Sequence, residues 1–129
     1  MKVAIIAANG GMFDAYKVFN IATAAAATNG EVKIFFTFEG LQLIHKEGLH
    51  HLPIPAGKEQ IQEGFQKANV PSIAELIEMA QDLGVTFIAC QMTMDVMGLT
   101  KEDFVEGTEV GGAVTFLDFA KDADVSLSF

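Results

Sequence analysis

Apolar residues along the chain fall into two rhythms, and the switches between them mark the elements. Val3-Ala4-Ile5-Ile6-Ala7 is an unbroken apolar run of the kind found in central parallel strands. Asn9-Gly10-Gly11 breaks it with a tight turn. Ala15, Val18, Phe19, Ala22 and Ala26 then recur at helical spacing, with Asp14 available to cap and Gly30 to stop the helix. Val32 to Phe38 returns to a strand pattern that Gly40 ends. Leu41 to His45 predicts a short helix. Lys46 to about Gly57 is irregular, broken by Gly48, Pro53, Pro55 and Gly57. Glu59 to Ala68 carries a weak helical pattern.

The second half is clearer. Ser72 and Glu75 make a capping box, and Ile73, Leu76, Ile77, Ala80 and Leu83 form a helical stripe closed by Gly84. Val85 to Cys90 reads as a short buried strand, followed at once by Gln91 to Gly98. Thr100 and Asp103 pair as a second cap over one turn. Val110, Ala113, Val114, Leu117 and Ala120 predict a last helix opened by Gly111-Gly112, where two glycines cost helix stability unless something packs close. Val125, Leu127 and Phe129 alternate with Ser126 and Ser128, a half-buried strand. Strands alternating with helices imply crossover connections. The expected fold is a single-domain, three-layer α/β/α over residues 1–129, with a mostly parallel sheet of about five strands. Loops following the strands then gather at one edge, where ligands bind in open α/β sheets.

Composition narrows the chemistry. The chain has 129 residues, is half hydrophobic and carries a net charge of −9. All eight basic residues are lysines, so nucleic acid and bidentate arginine clamps for phosphate or carboxylate are excluded. One cysteine cannot form an internal disulfide. No secretory pattern opens the chain and no apolar run approaches a membrane span, so a cytoplasmic, reduced protein is expected.

Cys90, the single cysteine, stands where a strand hands over to a helix. The free amides of a helix start favour a thiolate. A buried thiol is equally at home as core filler. Around it stand Met92, Met94 and Met97, whose thioethers suit a soft wall or plain packing, with Thr93 among them as a cleft candidate, and Asp95, which opposes a thiolate if close. Asn9-Gly10-Gly11 lacks the glycine spacing of a dinucleotide loop and the Lys-Ser/Thr of a P-loop, so no nucleotide cofactor is expected. Lining a small cleft beside Cys90 suits it better. His45, His50 and His51 match no zinc spacing and no metal is expected, but His50 or His51 is placed to assist a thiolate. No GxSxG elbow or evident carboxylate pair points to a hydrolase.

Phe87 to Leu99, with its Cys90-Gln91-Met92-Thr93-Met94 core, resembles the DsrE/DsrF/DsrH-like family. Val32 to Leu43, Leu52 to Gly57 and Val110 to Leu117 are similar to the same branch, so the likeness spans most of the chain. The resemblance implies a small parallel α/β fold and homo-oligomers, whether dimers, trimers or hexamers. It also implies a cytoplasmic sulfur carrier holding sulfane sulfur as a persulfide on Cys90. Such a protein exchanges sulfur with a TusA-like carrier or another persulfide donor, without a cofactor. Some relatives carry membrane-spanning segments, a departure from this chain. The alternatives are a ligand-binding or assembly subunit in which Cys90 only packs, and a thiol redox protein that cycles through a sulfenic acid.

Overall fold

The computed structural model describes residues 1–129. In chain order it contains β1 (Lys2–Ala7), α1 (Met12–Ala27), β2 (Glu31–Phe36), α2 (Ile61–Lys67), α3 (Ile73–Asp82), β3 (Thr86–Cys90), α4 (Gln91–Met97), β4 (Glu109–Gly111), α5 (Ala113–Ala120) and β5 (Val125–Ser128). Three 3-10 turns, Phe38–Leu43, Gly48–His50 and Lys101–Asp103, fill the connections. The five strands form one sheet in the order β4-β3-β2-β1-β5, and every pairing is parallel. The chain is therefore the three-layer α/β/α domain that the alternation implies.

Strand parity sorts the side chains. Val3, Ile5 and Ala7 of β1 sit in register with Val32, Ile34 and Phe36 of β2, and Ile34 and Phe36 with Phe87 and Ala89 of β3. These face α1 and α3 and join the main core of 25 buried residues. Phe19, Phe36 and Phe87 meet there with ring centroids 5.4 to 6.1 Å apart. The five α1 residues read from helical spacing are all buried. The alternate residues, Ala4, Phe35, Ile88 and Cys90, face the other way and pack under Phe116 and Phe119 of α5. Because the side-chain period is two, neither set can exchange faces without a register slip.

Several boundaries differ from the sequence reading. β2 stops at Phe36, and Thr37 turns the chain out of the sheet into the 3-10 turn that replaces the short helix expected from Leu41. A Cβ at Gly40 would overlap the Ala7 carbonyl, so the chain makes this exit only because that residue has no side chain. Asn29 (φ 66°), not Gly30, takes the left-handed position after α1, which asparagine tolerates. Val110 lies in β4 rather than in the last helix; three residues are too few to show a strand rhythm. The apolar stripe read for that helix is its outer side: Val114 and Leu117 are 82% and 60% exposed, whereas Phe116 and Phe119 are buried. An eight-residue helix with apolar residues on two sides offers two competing stripes, and the sheet took the aromatic one.

Candidate functional site

Cys90 closes β3 and is the N-cap of α4, with extended backbone (φ −68°, ψ 114°). Gly111 is its cross-strand neighbour on β4. On the other side β2 ends at Phe36, opposite Ala89, so Thr37 comes level with Cys90 at the carboxyl edge of the sheet. The thiol is buried, at 4% exposure, in the layer under α5.

Two threonines bracket the sulfur. Thr93, one turn into α4, is 2% exposed, and its Oγ1 lies 3.2 Å from Thr37 Oγ1. The Phe38 N–H donates to Thr93 Oγ1 at 3.2 Å. Burial pushes the Cys90 thiol up, but the Thr93 hydroxyl and amide, the Thr37 hydroxyl and the Met92 amide more than offset it. The net result is a thiol below its ordinary range, because all these groups donate to the anion. The groups that favour the anion are thus hydroxyls and amides, not a histidine.

The remaining sequence candidates divide between two places. Met92 is 59% exposed, so its thioether does not wall the buried thiol. Met94 is a member of the main core, at 3% exposure, so it packs rather than lines a site. Asp95 faces outward and accepts from Gln91 Nε2 at 2.8 Å. Asn9, Gly10, Gly11 and His51 do come together, with Asp14, Glu39, Gln42 and Pro53, around a cleft of about 450 Å³. Cys90 is not among its lining residues. The cleft opens at the start of α1, whereas the Cys90 side chain points to the α5 layer, so strand parity separates the two. His50 is exposed and outside that cleft. His45 is held structurally: its Nδ1 accepts the amides of Glu47 and Gly48 at 3.2 and 3.0 Å.

Thr37 and Phe38 escaped the sequence reading because both sat inside an expected strand. The available signal was positional. A threonine at the end of a strand that pairs in parallel with the cysteine strand falls beside the sulfur.

Comparison with known proteins places this arrangement. The profile of the DsrE/DsrF/DrsH-like family matches residues 1–60 and 54–128. The chain belongs to this family. Among similar proteins, "Sulfur carrier protein DsrE2" of Allochromatium vinosum is 35% identical over 153 aligned positions, covering 98% of this chain and 96% of that one. The Bacillus subtilis protein YrkE is 29% identical, covering 98% and 95%. The crystal structure of the ychN protein from E. coli superposes with a TM-score of 0.66 at 19% identity, covering 100% of this chain and 99% of that one, and so shares the fold. The two family matches meet at residues 54–60, in a stretch from Pro53 to Ser72 where no residue is buried. No helix is long and apolar enough to cross a membrane.

Proposed function

We propose that this protein is a cytoplasmic sulfur carrier that accepts sulfane sulfur on Cys90 and hands it to a partner thiol. The observation that carries the reading is a single thiol at the carboxyl edge of a parallel sheet, where β3 hands over directly to α4. The 35% identical Allochromatium protein named as a sulfur carrier supports the same chemistry. In the uptake step Cys90 Sγ⁻ attacks the outer sulfur of a donor persulfide, R–S–SH. A new S–S bond forms on Cys90, the donor S–S bond breaks, and R–S⁻ leaves. An incoming partner thiolate then attacks that outer sulfur and Cys90 Sγ⁻ departs. Each step exchanges one S–S bond for another, so no external oxidant or reductant is needed. A lone cysteine suits this cycle, since no second thiol in the chain competes for the carried sulfur.

The net charge of −9 favours a carrier with a basic docking patch, a TusA-like protein being the expected kind of partner. The exposed Val114 and Leu117 on α5 support self-association of the chain through this helix. Leu117→Asp should then lower the sedimentation mass, and an unchanged mass would remove that part of the reading.

The test of sulfur uptake is intact mass after incubation with inorganic polysulfide. The wild type should gain one sulfur that is lost on reduction, and Cys90→Ser should gain none. Uptake by the serine variant would sink the mechanism. A second reading, a binding or assembly subunit in which Cys90 only packs, is favoured by the 4% exposure of the residue. A native thiol inert to iodoacetamide and to polysulfide would decide for it.

A further inference from the structure

We infer that the cleft at the carboxyl ends of β1 and β2 is a second binding site, separate from the thiol, and that it takes a small organic dication, an aliphatic diamine. Its volume of about 450 Å³ is within the range of small-molecule sites, and it opens at the edge of the sheet where such sites form. Three segments wall it. One is the Asn9–Gly11 turn after β1, one the 3-10 turn that carries Glu39 and Gln42 after β2, and one the loop that carries His51 and Pro53. The segments meet at bare backbone. A Cβ at Gly10 would come 2.6 Å from the Glu39 carbonyl oxygen, and one at Gly48 would overlap Gln42 Oε1. The Met12 N–H donates to the Pro53 carbonyl at 2.9 Å and ties the third wall to the first. The cavity is thus formed before any ligand arrives.

The lining chooses the ligand. No lysine lines the cleft, and its charges are the carboxylates of Asp14 and Glu39. The start of α1 does not reverse that sign. Asp14 Oδ2 accepts the Gly11 N–H at 3.1 Å, so Asp14 itself supplies the negative charge that a helix start attracts, and Pro53 takes the next amide. An anion therefore meets two carboxylates and no lysine. A bare metal ion fits no better, because no three His, Cys, Asp or Glu side chains stand together as an ion-holding set. Asp14 lies by Gly11 and Glu39 by Gly10, on either side of the turn. A ligand that satisfies both needs two cationic ends with a length between them. Leu52, Pro53 and the glycine backbone complete the wall and suit its methylene groups. Asn9, Glu39, Gln42 and His51 add an independent observation. Of the polar side chains in the lining, Asp14 alone takes a hydrogen bond from the chain, and these four have no side-chain partner. Polar groups that converge unpaired on a preformed cavity are acceptors waiting for ammonium protons.

The inference goes beyond sulfur transfer and does not involve Cys90, which lies in the layer under α5. It is tested by titrating the full chain with putrescine, followed by calorimetry and by the backbone amide NMR spectrum. Saturable binding is expected, with shifts centred on Gly10, Gly11 and Gly48. Butylamine, with one charge, should bind about three- to tenfold more weakly, and so should putrescine to Glu39→Gln or Asp14→Asn. Asparagine keeps an oxygen for the Gly11 N–H, and Glu39 is exposed, so both variants should fold. Glu78→Gln removes an equal charge from an exposed position on α3 and should leave the affinity unchanged. Inorganic phosphate should not bind. Absence of saturable putrescine binding overturns the inference. So does equal weakening by Glu78→Gln, which would mark a general attraction to a chain of charge −9. Equal affinity for butylamine removes the dication. Tighter binding of Zn²⁺ or Mg²⁺ at the same amides would replace the diamine site with a metal site. Cys90→Ser should bind putrescine as the wild type does, and a loss there would overturn the separation from the thiol. Failure of the diamine leaves polysulfide uptake, and the reading that rests on it, untouched.

Discussion

One face of the sheet is packed by α1 and α3, of 16 and 10 residues, and the other by α5 alone, of eight. The first face belongs to a cluster of 25 buried residues and the second to one of six. Cys90 lies in the thin layer. The thick layer contains ring on ring and a glycine pressed against backbone, the marks of close packing with little slack. The thin layer contains a thiol, two threonines at its margin, and exposed apolar side chains above it. The difference separates the two faces: the one that holds most of the core is not the one in which the single thiol lies.

That division can be broken or sharpened by substitution. The largest effect should come from Phe87→Ala, which opens a cavity where Phe19 and Phe36 cannot easily close in and should cost about 5 kcal/mol in a urea titration. Phe116→Ala removes the ring stacked 5.3 Å from Phe35 in the thin layer, and should cost nearer to about 3 kcal/mol because that site can collapse. Equal losses would erase the distinction between the layers. Gly40→Ala adds one methyl group where the Ala7 carbonyl already stands and should cost about 2–3 kcal/mol.

A smaller effect concerns pH. The Cys90 thiol is held below its ordinary range by the Thr93, Thr37 and Met92 donors against the opposing burial. The native chain therefore releases this proton at lower pH than the unfolded chain does. The associated stability is full above the unfolded thiol value and is lost as pH falls through the native one. The stability difference between wild type and Cys90→Ala should thus move in favour of the wild type as pH rises, read as urea midpoints from roughly pH 6 to pH 10. A difference constant with pH would contradict the donor arrangement. The smallest effect should be Gly112→Ala. Its added carbon meets nothing within 4 Å and its φ is −106°, so the change should stay within about 1 kcal/mol in thermal unfolding.

Much of the thick layer was legible in the chain. The α1 stripe of Ala15, Val18, Phe19, Ala22 and Ala26 has one apolar side, and burial could only follow it. The Ser72–Glu75 box forms as its spacing requires, with Glu75 N–H donating to Ser72 Oγ at 3.2 Å. The thin layer was less legible for physical reasons. In α5, Val114 and Leu117 compete with Phe116 and Phe119, and hydrophobicity alone does not choose between them. Cys90 itself was readable as a strand end. Its separation from the Asn9–Gly11 turn was not, because it depends on which face α1 and α5 occupy. That is a property of the crossovers, invisible within either segment. Thr37 was hidden by a strand that ends two residues early under pressure from Gly40, a contact with β1 far away in sequence.

Gly111 has one more consequence. A carbon built on it would come within 3.2 Å of both Ile88 and Thr115, so the first turn of α5 rests against the bare backbone of β4 beside Cys90. The height of the roof over the sulfur is set by a residue with no side chain. Even a methyl group there requires Ile88 or Thr115 to give by a few tenths of an ångström. The spacing between α5 and the sheet edge that holds Cys90 is thereby set at a position distinct from the thiol itself.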